Sequence, residues 1–230
     1  MKIEQLELWT ANVEDLAEFY GSVLKLPVSV DDQGLSLTIA AGTTELVFLH
    51  KAGFDGQYHF AIDIPEKRVD AARQFVESVG ISLLTDDDGE PLFHFESWKA
   101  HSIYFYDPSG NIVELIARHD VPSEKSIPPE NPFVITELMA VSEVGMAARD
   151  VTNLACVLAE SCGVHAYKES SPTFMPMGDV QGLLILVEKG RIWFPSTGVA
   201  AEELPLRVIF STESGTFEFS SPNSVLRALP

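Results

Sequence analysis

Residues 107–115, Asp107-Pro108-Ser109-Gly110-Asn111-Ile112-Val113-Glu114-Leu115, run from a turn into a strand. Pro108 and Gly110 supply the turn, and the run that follows is apolar except for Glu114. A strand sends alternate side chains to opposite faces. Val113 and Leu115 therefore share one face, and Ile112, Glu114 and Ile116 share the other. An acid in such a strand either faces water or points to something in the interior that favours a negative oxygen.

Upstream of this strand, YHFAIDI (58–64) alternates in the same way, residues 66–79 have a helical pattern, and strand-like runs occupy 81–84, 92–96, 101–106 and 111–117. The order β-α-β-β-β also describes the first fifty residues. IEQLELWT (3–10) alternates, Asn12 is a candidate N-cap, and VEDLAEFYGSVL places Val13, Leu16, Phe19, Tyr20, Val23 and Leu24 on one helical face. Strand-like runs at 27–30, 35–40 and 44–50 complete the unit. Two such units in series indicate a pseudo-symmetric pair spanning 1–118, with modules at about 1–50 and 58–118. Four prolines in HDVPSEKSIPPENP mark 119–133 as a linker or extended crossover. A third unit begins at ITELMAVSE (135–143), continues through a helix over 148–163 closed by Gly163, and has strand-like runs in TFMPMGD, GLLILVEKG and RIWFP. PLRVIFST (205–212) opens a fourth unit, but only 18 residues follow it, too few for a helix and three strands. Residues 134–230 thus read as a third module plus a truncated fourth.

The 230-residue chain is 46% hydrophobic and 10% aromatic, the composition of a globular protein. A formal charge of −19 repels phosphate backbones and anionic lipid, so nucleic acid and membrane surfaces are poor partners and a small molecule is the expected one. MKIEQLELW has no signal-peptide core, and the aliphatic run GLLILV (182–187) is too short to span a bilayer. Cys156 and Cys162 fall on one predicted helix at a spacing that does not bring them together. They read as small core residues of a reduced, cytoplasmic protein.

The two β-α-β-β-β units, HFAIDI opening the second and DPSGNIVEL near its end, resemble the vicinal oxygen chelate superfamily of glyoxalases, bleomycin-resistance proteins and extradiol dioxygenases. Phe19-Tyr20 followed by VLKLPV matches that family's helix end, with Lys25 where glycine is usual. The resemblance covers 1–118 well and the rest weakly. It implies an α+β fold in which paired βαβββ modules form a curled-sheet cup, here followed by a second, partly degenerate module pair. In the family the cup holds one divalent metal, such as Zn, Ni, Mn or Fe.

Strand alternation sets the faces. Phe60, Ile62 and Ile64 read as core, leaving His59, Ala61 and Asp63 toward the cup. Ile3, Leu6 and Leu8 read as core, with Gln5, Glu7 and Trp9 opposite. Leu46 and Phe48 read as core, with Glu45 opposite. The family pattern then implies Gln5, Glu45, His59 and Glu114 as metal ligands, with Glu114 and Glu45 as the catalytic carboxylates, one of them a base; strand alternation puts Glu7, Trp9, Tyr104 and Tyr106 toward the cup as substrate contacts. One imidazole, two carboxylates and an amide oxygen suit a hard or borderline divalent ion. A lone strand histidine is also an ordinary structural residue, and tyrosines at these positions are ordinary strand aromatics.

The four ligand types in this order resemble glyoxalase I enzymes and imply isomerase or lyase chemistry on a small vicinal-dioxygen substrate. A ring-cleaving dioxygenase is a second reading, weakened by Gln5 at a histidine position. A metal-free module that binds a drug or metabolite is a third. In FHFESWKAH (93–101), Trp98, His94 and His101 either line the pocket or form a surface hairpin. In the second half, Glu137 is the counterpart of Gln5 and Arg207 of His59, and a guanidinium cannot ligate a metal. No metal is expected there. That half is expected to complete a sheet, cover the cup or make a homodimer contact.

Overall fold

The computed structural model describes residues 1–121 and 127–230; part of the proline-rich linker, 122–126, lies outside the described residues. The first module comprises β1 (Lys2–Thr10), α1 (Val13–Ala17) running into a wider helical turn over Glu18–Val23, β2 (Val28–Val30), β3 (Ser36–Ala41) and β4 (Thr44–His50). The second comprises β5 (His59–Ile64), α2 (Val69–Ser78), β6 (Phe93–Phe95), β7 (Ala100–Tyr106) and β8 (Ile112–Arg118). The third comprises β9 (Ala140–Ala148), α3 (Val151–Cys162), β10 (Phe174–Asp179) and β11 (Gly182–Glu188). The chain ends in a three-stranded meander of β12 (Leu206–Thr212), β13 (Gly215–Ser221) and β14 (Val225–Ala228). No helix among the described residues is long and apolar enough to cross a membrane.

These elements build two seven-stranded mixed sheets, ordered β14-β13-β12-β1-β4-β3-β2 and β10-β11-β9-β5-β8-β7-β6. The βαβββ modules and their curled sheets are the expected architecture, but the modules pair differently from the sequence reading. The fourth completes the first module's sheet, β12 lying antiparallel to β1, and the third completes the second's, β9 lying antiparallel to β5. Residues 1–118 therefore do not form one cup, because β1 and β5 lie in different sheets.

The apolar faces agree with the alternation. Leu6, Leu8, Phe48, Phe60, Ile62, Val113 and Leu115 all join one core cluster that also takes Leu16 of α1 and Ala72 of α2. The opening turn carries a buried polar anchor. Asp107 accepts hydrogen bonds from the Ser109 and Asn111 backbone N–H groups, from Asn111 Nδ2 and from the Tyr20 hydroxyl of the first module. Gly110 has φ +78°, a conformation that a side chain would strain.

Four local expectations change. Asn12 precedes α1 but its side chain makes no capping bond. Residues 81–84 and RIWFP contribute only the isolated bridges Leu83↔Phe105 and Ile192↔Ala200. Residues 135–143 are not one strand: Ile135–Glu137 form a short 3-10 turn, and β9 starts at Ala140. Glu137 consequently faces no cup. Its carboxylate is buried against Arg68, which also donates to the carbonyls of Pro128, Pro129 and Pro132 and so clamps the end of the linker.

Candidate metal centre

β5, β8 and β9 are the three adjacent central strands of the second sheet. Register places Ala61 beside both Glu114 on β8 and Glu143 on β9. His59 stands two residues earlier on β5, so it shares the face of Ala61. One ligand atom from each of His59, Glu114 and Glu143 lies within 4.8 Å of the others. All three residues are buried, 7%, 3% and 7% exposed, yet they line a cavity of about 400 Å³.

The imidazole is oriented for ligation. His59 Nδ1 lies 3.3 Å from the Ile112 carbonyl oxygen, so Nδ1–H can donate there and leave the Nε2 lone pair free. Nε2 is 3.6 Å from Glu114 Oε2. Two ligand atoms each about 2.1 Å from one tetrahedral ion stand about 3.4 Å apart, close to this spacing. Burial lowers the His59 pKa, with Glu143 opposing that effect, and the result favours the neutral ring that a metal requires.

The surrounding charges do not balance. Arg118, on the same face of β8, is the one guanidinium in the cluster and pairs with both Asp63 and Glu143. Ser142 donates to Asp63. Glu114 remains with its pKa pushed up to about 8, first by desolvation and then by the Glu143 charge. Desolvation also lifts Asp63 to about 6, although Arg118 opposes the rise. Ser102 and Tyr104 pull Glu114 back down, but Ser102 Oγ reaches no partner with good hydrogen-bond geometry and is the weak member of that pair. Three buried carboxylates against one guanidinium, with donor atoms converging beside a cavity, fit a divalent cation.

The structure divides the expected ligand set. His59 and Glu114 come together, whereas Gln5 and Glu45 pair with each other on the other sheet. There Arg207 donates to Gln5 Oε1 over 2.7 Å and to Glu218, and its guanidinium lies 3.7 Å from Glu7. The separation follows from sheet order, because β1 and β4 belong to one sheet and β5 and β8 to the other.

Of the expected substrate contacts, Tyr104 lines the cavity. Tyr106 points its hydroxyl toward the Thr197 carbonyl, and Trp9 packs on Phe54 under Lys51. Trp98 lines the cavity, while His94 and His101 stack on each other 4.4 Å apart, away from it. Sequence reasoning missed Glu143. Its signal was the period-two run Val144, Met146, Ala148, which puts Glu143 on the opposite face. The same alternation from Glu114 reaches Arg118.

No protein-family model and no curated protein sequence matches the chain. Solved structures do match its fold, among them proteins named as a dioxygenase and a glyoxalase. A Bacillus subtilis protein named for an inferred dioxygenase activity is similar with a TM-score of 0.57 and 16% identity, over 81% of this chain and 63% of its own. The chain thus spans under two thirds of that protein's length. A glyoxalase I mutant from Zea mays is similar with a TM-score of 0.56 and 14% identity, over 94% of this chain and 74% of its own. At these identities the likeness concerns the fold.

Proposed function

We propose that the chain is a divalent-metal-dependent enzyme that acts on a small substrate with two adjacent oxygens, by isomerase or lyase chemistry. The observation that carries this reading is the convergence of His59, Glu114 and Glu143 at the buried floor of an open cavity. A metal held by these three would supply Lewis-acid polarisation of substrate oxygens. The remaining chemistry belongs to the chain. Glu114 supplies a carboxylate placed to take a proton from a bound substrate. The Tyr104 hydroxyl, buried beside it and kept protonated, can donate a hydrogen bond to the carboxylate. Arg118 fixes the Glu143 carboxylate, and aromatic side chains wall the cavity above it. Glu45 has no place in this scheme because it lies on the other sheet.

One imidazole and two carboxylates differ from the two-histidine, one-carboxylate set of non-haem iron oxygenases, which favours the isomerase or lyase reading over ring cleavage. The net charge of −19 favours a small-molecule partner over nucleic acid or membrane. Metal analysis of protein purified without chelator, with calorimetric titration of Zn, Ni, Mn and Fe(II), tests the proposal. One ion per chain is expected, with affinity reduced at least about tenfold by His59→Ala, Glu114→Gln or Glu143→Gln. If none of the four ions binds, the chain is a metal-free binding module; if binding survives all three substitutions, the ion lies elsewhere and the reading of this centre fails.

A further inference from the structure

Above its acidic floor the cavity has aromatic walls. Phe95 and Trp98 come from the β6–β7 hairpin, Tyr104 from β7, Phe174 from β10, and Trp193 and Phe194 from the segment after β11. Several of these rings are locked edge to face. Phe194 lies 5.5 Å from Phe95 and 5.6 Å from Tyr104, with interplanar angles of 66° and 72°. The cavity has a direction. Glu114 at its floor is 3% exposed, whereas Ile192 and Phe194 at its rim are 50% and 48% exposed.

Arg191 is also exposed and is the one guanidinium among the described residues that line the cavity. Its guanidinium carbon lies 5.1 Å from the Phe174 ring centroid, so a wall ring helps to hold it in place. It takes part in no salt bridge among the described residues, while Lys189, two residues earlier, shares Glu203 with Arg149.

We propose that this cavity takes a planar aromatic carboxylate, with its ring between the aromatic walls and its acidic group on Arg191 at the rim. The proposal rests on the reading of the His59, Glu114 and Glu143 floor as the chemical end, where the ligand's adjacent oxygens would lie. The charges fix the orientation. At the floor the one guanidinium, Arg118, is already paired with Asp63 and Glu143, which leaves no cation there to meet an anion beside Glu114 and Glu143, whereas Arg191 offers one at the rim. Arg191 can also meet a carboxylate through two parallel hydrogen bonds. The −19 charge of the whole chain disfavours anions in general, so a carboxylate without a ring is not expected to bind.

The test is calorimetric titration of the metal-free full-length chain with 2-naphthoate, with the equal-sized neutral 2-naphthamide and with acetate. Naphthoate is expected to bind about tenfold more tightly than naphthamide, and acetate not measurably. Arg191→Gln should lower naphthoate to the naphthamide level and leave naphthamide unchanged, whereas Trp98→Ala should weaken both; circular dichroism would confirm that both variants are folded. The inference is overturned if neither aromatic probe binds, if the two bind equally, or if the preference for naphthoate survives Arg191→Gln. No metal is present in these titrations, so this result and the metal analysis can fail independently.

Discussion

Replacing Glu114 with glutamine is expected to stabilise the metal-free chain at alkaline pH while weakening its metal binding. The unfolded carboxyl titrates near 4.5, and burial beside Glu143 raises it to about 8 in the folded chain. Between these values the native state keeps a proton that the unfolded state has lost, so stability falls as pH rises from about 4.5 to about 8. The full penalty above pH 8 is roughly 5 kcal/mol at most, and its share at pH 7 is about 3 kcal/mol. Glutamine carries no charge but keeps a desolvation cost of about 1–3 kcal/mol, leaving a net gain of about 2 kcal/mol at pH 8–9. For a chain of this length that gain raises Tm by about 4–8 °C. Thermal denaturation of both proteins in chelator from pH 5 to pH 9 is the assay. The advantage of the variant should grow with pH and turn into a deficit of about 1–2 kcal/mol at pH 5, where its own desolvation cost exceeds the parent's small penalty. A difference that does not change with pH, or a variant less stable than the parent at pH 9, would refute the account of Glu114 as a strained buried acid.

Three further outcomes probe the scaffold. Arg68→Met leaves Glu137 buried without its cation and releases the three proline carbonyls, and should cost about 3–5 kcal/mol in urea denaturation; adding Glu137→Gln should recover part of it. Lys25 has φ +65°, a left-handed conformation that favours glycine, so Lys25→Gly should raise stability by up to about 1 kcal/mol, read as a higher urea midpoint. Gly42 has φ +63°, and a Cβ there would stand 2.1 Å from the Met139 carbonyl oxygen just before β9. Gly42→Ala should therefore cost at least about 2 kcal/mol in the same assay, because it pushes apart a contact between the two sheets.

Much of the site was legible in the sequence because a strand's alternation is local. Glu114 opposite Val113 and Leu115, and His59 opposite Phe60 and Ile62, needed only a period of two and the apolar run beside each. Glu143 was harder. The pairing of β5 with β9 shifts register between Ala61 and Ile62, which face Glu143 and Val141, so Ser142 is the extra residue. The bulge lies just before Glu143, so only the alternation downstream of it, from Val144, fixes the face of that residue. Glu137 then looked like the inward acid, although it lies in a 3-10 turn and serves Arg68. RIWFP has strand composition, but its Trp193 packs against Gly145, where a Cβ would come within 2.5 Å of the ring, and forms cavity wall instead.

The sequence by itself determined the βαβββ modules and the face of each strand, and set the acid in DPSGNIVEL opposite Val113 and Leu115 without deciding whether that face met solvent. These follow from covalent geometry within a few residues. Only the tertiary structure decided which modules share a sheet. β1 could have paired with β5, as a repeat within 1–118 suggests, but it pairs with β12 some two hundred residues later, and β5 pairs with β9. Backbone hydrogen bonds carry no label for a partner strand; the choice rests on how whole faces pack across the molecule. That choice put Gln5 and Glu45 against Arg207 on one sheet, and brought His59 and Glu114 to Glu143 on the other.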